Sequence, residues 1–97
     1  MRFEWDPEKD RANRLKHGLS FAEASRLFAA GLDVLEIYDE AHSEREDRFI
    51  AIGPIERGVI VVVYTERPED GIRIMSARMA TPKERKCLDE RWRGRHE

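Results

Sequence analysis

Lys16, His17 and Gly18 form the first segment of the sequence whose residue types could carry out chemistry. A glycine directly after a basic pair indicates the end of a helix, and the C-terminal end of a helix favours positive charge. An imidazole presented there can act as a general acid or base at the edge of a cleft. The pair could also do no more than complement the helix end, so the segment alone leaves both interpretations open.

Arginines are the second group of candidates, because the sequence has 14 arginines and only 4 lysines. The planar guanidinium group matches the geometry of phosphate and carboxylate groups. Several arginines on one sheet surface would form a groove for an anionic substrate, whereas a single one is more often a salt-bridge partner or an exposed charge. A codon bias towards arginine would also explain the excess. The candidates in or beside neighbouring predicted strands are Arg48, Arg67, Arg73 and Arg78.

The other polar candidates favour structural interpretations. Ser76 ends an apolar strand, where a serine more often forms a hydrogen bond than acts as a nucleophile. His42, in an acidic loop, and His96, in the tail, are expected to be solvated. The three histidines are too scattered for a metal-ligand motif, and Cys87 has no plausible catalytic partner. We therefore expect neither a metal site nor a cofactor.

The composition describes one small domain that spans residues 1–97. Of its residues, 40% are apolar and 39% are charged. No apolar run is long enough for a membrane helix, and the first six residues lack the apolar core of a signal peptide, so we expect a cytoplasmic protein without membrane contact. A single cysteine is in keeping with a reducing compartment.

The net charge of −2 argues against a nucleic-acid partner only on average. Residues 1–50 carry 8 basic and 12 acidic side chains, whereas residues 71–97 carry 8 basic and 4 acidic ones. The charge is therefore divided along the chain, and a local cationic surface is compatible with the net value.

Capping residues define the predicted helices. Asp6 precedes a helix from Pro7 to His17 that we expect to lie on the surface, anchored by a thin stripe of Ala12 and Leu15. A capping box at Ser20–Glu23 opens a second helix, closed by Gly31. A further box, Thr81–Glu84, opens a C-terminal helix to about Trp92, where Leu88 and Trp92 are expected to pack on the core. The basic tail beyond could contact nucleic acid or only aid solubility.

Strands are predicted between these helices, because the apolar residues there alternate or form β-branched runs. Residues 33–39, 48–53, 59–65 and 72–78 form an antiparallel meander, with a possible edge strand at residues 3–5. On the last strand, alternation puts Arg73 and Met75 on one face and Ile72, Ile74 and Ser76 on the other. The predicted fold is an α+β domain with two N-terminal helices, a four- to five-stranded, mainly antiparallel sheet and a C-terminal helix.

Motifs over nearly the whole chain, in the same order, resemble the BrnT family of toxins. They are Phe3-x-Trp5-Asp6, Lys9, Asn13, Lys16-His17-Gly18-x-Ser20-Phe21, Ala24, Arg48-x-x-x-Ile52-Gly53, Val62-Val63-Tyr64-Thr65-x-Arg67, Ile72-Arg73-Ile74-Met75-Ser76-Ala77-Arg78 and Thr81-x-x-Glu84-Arg85. The resemblance implies a RelE-like fold and a type II toxin–antitoxin endoribonuclease that cleaves RNA without a metal ion and arrests growth. It also implies a BrnA-like ribbon-helix-helix antitoxin, with operator DNA bound only through the antitoxin complex.

Metal-free RNA cleavage requires proton transfer and cations that stabilise the phosphorane. Together with the resemblance, this suggests His17 as general acid or base, Arg73 and Arg78 as phosphate clamps, and Lys16 and Arg67 as electrostatic support. The suggested substrate-binding residues are Arg48, Ser76 and Arg85. We expect His17 and Lys16 to face the arginines of the sheet, and an antitoxin segment to cover the arginine-bearing face.

Two alternatives remain at the level of sequence. The chain could keep the fold but act only by binding a protein partner or operator DNA. It could also be an antitoxin-type or structural subunit, although it shows no ribbon-helix-helix or other DNA-reading element.

Overall fold

The computed structural model describes residues 1–29 and 34–96, except for the side chains at positions 92 and 94–96. The described residues form four α-helices and five strands. Their bounds are β1 Arg2–Glu4, α1 Pro7–His17, α2 Phe21–Ala24, α3 Arg26–Ala29, β2 Leu35–Tyr38, β3 Arg48–Ile55, β4 Gly58–Arg67, β5 Gly71–Met79 and α4 Pro82–His96, with a short 3₁₀ helix at Glu40–His42 between β2 and β3. None of the helices within these described ranges is long and apolar enough to cross a membrane.

The first helix begins and ends as predicted. The Asp6 carboxylate accepts a hydrogen bond from the Glu8 N–H, and Gly18 closes the helix in the left-handed conformation at φ 68°. The predicted anchoring stripe is wrong, because Ala12 is exposed and Leu15 is 84% exposed. The buried residue of α1 is Asn13, so this helix is held by hydrogen bonds instead of an apolar stripe.

The single second helix of the sequence prediction is two short helices, α2 and α3. Ser20 caps α2 as predicted, since its hydroxyl accepts from the Glu23 N–H at 3.0 Å. Ser25 separates the two helices: its hydroxyl donates to the Ala22 carbonyl at 2.7 Å, an alternative to regular helix bonding that serine offers. The predicted end at Gly31 and the predicted strand start at Asp33 lie outside the described residues.

The sheet confirms the predicted meander and adds the edge strand. The strand order is β1-β5-β4-β3-β2, in which β2 to β5 pair antiparallel and β1 pairs parallel to β5. Short connections between consecutive strands make antiparallel pairing the expected arrangement. The α+β architecture of the prediction is therefore correct, with one more N-terminal helix than expected.

A bulge in β5 corrects the predicted faces of this strand. The register shifts between Val63 and Tyr64, so that Val63 is opposite Ser76 while Tyr64 is opposite Ile74. A bulge inserts one residue and reverses the alternation beyond it. The prediction that Ser76 lies on the isoleucine face is therefore wrong: Ser76 and Arg78 lie on the same face as Arg73.

The two faces of the sheet differ in their cover. The helix-covered face packs against Leu19, Phe21, Ala24 and Leu27 and forms the main core with residues such as Val62. The opposite face, here called the open face, is covered at one end, where Leu88 of α4 forms a small cluster with Ile52 and Val61. Leu88 thus packs as predicted, whereas the side chain of Trp92 lies outside the described residues.

Candidate active site

A row of polar side chains crosses the uncovered end of the open face. Arg48 of β3 is opposite Thr65 of β4, Thr65 is opposite Arg73 of β5, and Arg73 is opposite Glu4 of β1. Cross-strand partners project from the same face, and neighbouring strands lie about 4.8 Å apart, so the Cα atoms of Arg48 and Arg73 are about 10 Å apart. We call these four residues, with Arg67 farther along β4, the arginine row.

Weak ion pairs connect the arginine row. The Glu4 carboxylate lies 3.4 Å from Arg67 Nε and 3.7 Å from Arg73 Nη1. Arg67 Nη1 also lies 3.8 Å from the carboxylate of Glu46. These distances are long and the side chains are partly exposed, so each pair contributes little to stability. With Arg48, three guanidinium groups face two carboxylates, and the row keeps a positive charge that an anionic group can engage.

Three buried polar atoms of the arginine row form no hydrogen bond: Arg48 Nε, Thr65 Oγ1 and Arg67 Nε, of which Arg67 Nε has only its 3.4 Å ion pair with Glu4. In the described part of the chain, no other side-chain N or O atom is in this situation. Buried polar groups are almost always hydrogen-bonded, and an exception calls for an explanation, such as a ligand that binds there. Because the two arginine nitrogens are donors and the hydroxyl can donate, the three atoms fit oxygen acceptors such as those of a phosphodiester.

A cleft of about 330 Å³ opens beside Arg48. Its lining residues are Ala41, His42, Glu44, Arg45, Glu46 and Arg48. Since Glu46 also pairs with Arg67, the cleft is continuous with the arginine row. Arg45 and Arg48 offer two guanidinium groups to an anionic ligand, and Glu44 and Glu46 balance their charge.

His42 in this cleft is held by Asp39. The imidazole Nδ1 lies 3.0 and 3.1 Å from the two oxygens of the Asp39 carboxylate, which is only 14% exposed. Asp39 directly precedes the 3₁₀ helix and His42 ends it, three positions later, a spacing at which side chains of such a helix eclipse each other. The imidazole is 67% exposed, as expected of a solvated His42. The sequence prediction did not include its contact with Asp39.

Lys16 and His17 lie at the C-terminal end of α1, where Lys16 is exposed and His17 is partly buried. The carbonyl of the adjacent Gly18 accepts a hydrogen bond from Arg57, in the turn between β3 and β4. Arg48 is at the other end of β3, and an eight-residue strand is about 23 Å long. The structure therefore does not bring Lys16 and His17 to the arginine row.

Arg78 also lies away from the arginine row. It is opposite Val61, four residues from Thr65 along β4, or about 13 Å. Both terminal nitrogens of Arg78 donate to the two carboxylate oxygens of Glu84, each at 2.7 Å. This bidentate pair joins the open face to the first turn of α4, and it raises the pKa of Arg78.

The remaining two predicted residues flank these groups. Ser76 is partly buried on the open face, opposite Val63. Arg85 is exposed in the first turn of α4, and its backbone N–H donates to the Thr81 carbonyl at 3.0 Å. The structure thus brings Arg48, Arg67 and Arg73 together, and leaves Arg78, Arg85, Lys16 and His17 outside this group.

Glu84 should make the stability of the protein depend on acid pH. Hydrogen bonds from Arg78 lower the pKa of Glu84 to about 2, from its ordinary 4.5, and Thr81 adds to the effect. A carboxylate with a lowered pKa stabilises the fold above about pH 4.5, and this contribution disappears as the pH falls towards 2. Glu84→Gln should cost about 1–2 kcal/mol at pH 7 and about half of that at pH 3, measured by urea unfolding.

Glu90→Gln, which changes an exposed carboxylate on the same helix, is the matched control for this prediction. A destabilisation by Glu84→Gln of equal size at pH 7 and pH 3 would show that the charge of Glu84 has no part in it.

Four residues of the site were not predicted from the sequence: Glu4, Asp39, His42 and Thr65. Thr65 could have been found, because strand alternation puts it on the same face as Arg67. Asp39 and His42 carry a signal in their spacing of three residues, although it indicates a contact only if the loop is helical. Glu4 reaches the row through the parallel pairing of β1, for which the sequence has no local signal.

Comparisons with known proteins agree with this fold. Residues 5–84 match the family model described as "Ribonuclease toxin, BrnT, of type II toxin-antitoxin system". The crystal structure of the Brucella abortus ribonuclease toxin BrnT is similar, with a TM-score of 0.68 and 29% sequence identity; the match covers 84% of this chain and 97% of that chain. No match was found among the curated proteins.

An α+β domain of this topology, with these matches, is a ribonuclease toxin of a type II toxin–antitoxin system. Toxins of this class act on RNA and have an antitoxin as their protein partner. The chain belongs to the BrnT family. The resemblance inferred from the sequence motifs is thereby confirmed.

Proposed function

We propose that this protein is an endoribonuclease that cleaves RNA without a metal ion and thereby arrests growth. The observation that carries the proposal is the arginine row, where three guanidinium groups lie at one end of the open face and the buried Arg48 Nε atom has no hydrogen-bond partner. In this reaction the ribose 2′-hydroxyl attacks the adjacent phosphorus, and negative charge accumulates on the non-bridging oxygens. Guanidinium groups fixed around these oxygens stabilise the transition state more than the ground state.

Within this proposal, Arg48, Arg67 and Arg73 bind the phosphate that is cleaved. Arg85 and Lys16 lie farther along the molecule, where they would contact flanking phosphates of a longer RNA, and Ser76 would offer a hydroxyl beside the row. Arg78, whose terminal nitrogens both bind Glu84, would fix α4 to the sheet. Proton transfer requires a further group, and His17 and His42 are the two histidines to be compared.

The antitoxin partner is proposed to be a BrnA-like ribbon-helix-helix protein, with operator DNA contacted only through the complex. A segment that covers the arginine row would neutralise the toxin by excluding RNA. The open face supports such a contact, because Ile37, 43% exposed, projects beside Ile50 near the row and offers apolar area to a partner. An acidic and apolar antitoxin segment matches this combination of charge and surface.

The test is an incubation of the purified protein with a defined RNA in EDTA. We expect cleavage with a 2′,3′-cyclic phosphate and a 5′-hydroxyl as the new ends. The matched control is the same RNA with a single 2′-deoxynucleotide at the cleaved position, which should remain intact there because it lacks the nucleophile. Uncleaved RNA with a folded protein would contradict the proposal and favour the alternative, a non-catalytic module that acts by binding its partner.

A further inference from the structure

We propose that His42, positioned by Asp39, is the general base that removes the 2′-hydroxyl proton. This inference rests on the proposed ribonuclease function and adds a catalytic residue to it. The observation is the placement of an aspartate–histidine pair in the cleft that Arg48 also lines. The cleft volume of about 330 Å³ lies within the range of small-ligand sites.

The contact with Asp39 fixes the proton of the imidazole. An ionised carboxylate only accepts hydrogen bonds, so the Nδ1 atom that contacts it must carry the proton. In the neutral ring, Nε2 is then left with a free electron pair. Asp39 therefore holds His42 in the tautomer in which the exposed nitrogen can accept a proton.

The backbone around the pair is tied to the start of β3. The Ser43 hydroxyl donates to the Asp39 carbonyl at 2.6 Å and accepts from the Arg48 N–H at 2.9 Å. The Asp39 N–H donates to the Arg48 carbonyl at 2.8 Å, which continues the β2–β3 ladder by one more bond. These three bonds fix His42 relative to Arg48, as a base and a phosphate ligand of one reaction require.

The reaction balances with water as the only additional participant. The 2′-hydroxyl proton passes to His42 Nε2 as the 2′-oxygen forms its bond to phosphorus. The bond between phosphorus and the 5′-oxygen breaks, and the leaving oxygen takes a proton from water. The hydroxide left by that water then removes the proton from the His42 imidazolium, and the enzyme returns to its starting state.

The decisive variant is His42→Ala, assayed on the RNA and in the EDTA buffer described above. We expect its cleavage rate to fall by about 10²-fold or more, the contribution of a positioned base. Free imidazole added to the reaction should restore part of the lost activity, an effect that a structural defect would not show. Because the His42 side chain is mostly exposed, the variant should keep its circular dichroism spectrum, and His42→Gln provides a second test if it does not.

His17→Ala is the comparison that separates the two histidines. Loss of activity in His17→Ala, with activity retained in His42→Ala, would overturn the inference and leave the proposed ribonuclease function standing. A wild-type protein that leaves RNA intact would instead contradict the proposed function itself. Retained activity in both variants would also overturn the inference.

Asp39 is a positioning residue, and its test needs a measurement other than activity. In Asp39→Ala we expect kcat to fall by roughly tenfold or more with little change in KM, because the ring loses its fixed tautomer. Nitrogen-15 NMR should show the proton on Nδ1 of His42 in the wild type and a shift towards Nε2 in the variant. The same tautomer in both proteins would contradict the positioning role.

Discussion

Arg73→Ala should lower the rate of RNA cleavage by about 10²- to 10³-fold, the effect of removing one preorganised donor from a charged transition state. Arg73 is placed for this role because it lies opposite Thr65 and Glu4, in the row that also holds Arg48 and Arg67. Its loss should hardly affect folding, since its ion pair with Glu4 is long at 3.7 Å and partly exposed. The measurement is the single-turnover rate on a defined RNA, with unfolding in urea measured in parallel.

Two further variants sharpen this expectation. Arg73→Lys keeps the charge but loses the planar fork, so its rate should lie between those of the wild type and Arg73→Ala. Arg11→Ala removes an exposed arginine from α1, with the same change in net charge, and should leave the rate unchanged. Equal losses in Arg11→Ala and Arg73→Ala would mean that general electrostatic attraction of RNA, not binding at the arginine row, explains the effect.

Local signals explain how much of the fold could be predicted from the sequence. Asp6 and Gly18 bound the first helix through short-range capping, and the Thr81–Glu84 box forms both reciprocal hydrogen bonds. Such motifs act within a few residues and are therefore visible in the sequence. The bulge opposite Val63 depends on strand pairing, and it alone puts Arg78 on the face of Arg73.

The sequence indicated which types of residue form the site, but not which of the candidate residues lie together. Strand arginines near one sheet surface indicated an anion site, and Arg48, Arg67 and Arg73 do lie together. Arg78 is taken up by Glu84, a contact between two elements that each look complete in the sequence. His42 was passed over because a loop of charged residues gives no sign that a 3₁₀ turn brings it onto Asp39.

Asn13→Ala should destabilise the protein by about 3 kcal/mol, a large part of the 5–15 kcal/mol that typically separates folded from unfolded domains. Asn13 is only 8% exposed, and its amide nitrogen donates to the carbonyls of Leu19 and Ala77, each at 2.8 Å. Its amide oxygen accepts from the Ala77 N–H at 3.2 Å. Alanine would leave these backbone groups without partners at a buried position.

We expect Asn13→Ala to be this destabilising because Asn13 completes the hydrogen bonding at an edge of the sheet. The parallel pairing of β1 covers residues 71–73 of β5, and Ala77 lies on the edge beyond it. There the Asn13 side chain takes the place of a neighbouring strand, since it offers both a donor and an acceptor to the same residue. Asn13→Asp keeps the acceptor but sets a carboxylate against two carbonyl oxygens, so it should destabilise at least as much.

Leu15→Ala is the control on the same helix. Truncating an apolar residue usually destabilises a protein more than truncating a polar one, and here we expect the opposite order. Leu15 is 84% exposed, so its truncation should change the free energy of unfolding by less than about 0.5 kcal/mol. Urea unfolding of both variants measures the difference. If Leu15→Ala were the more destabilising change, α1 would be held by its apolar residues after all. The expected order instead identifies one polar side chain as the anchor of the helix whose end carries Lys16 and His17.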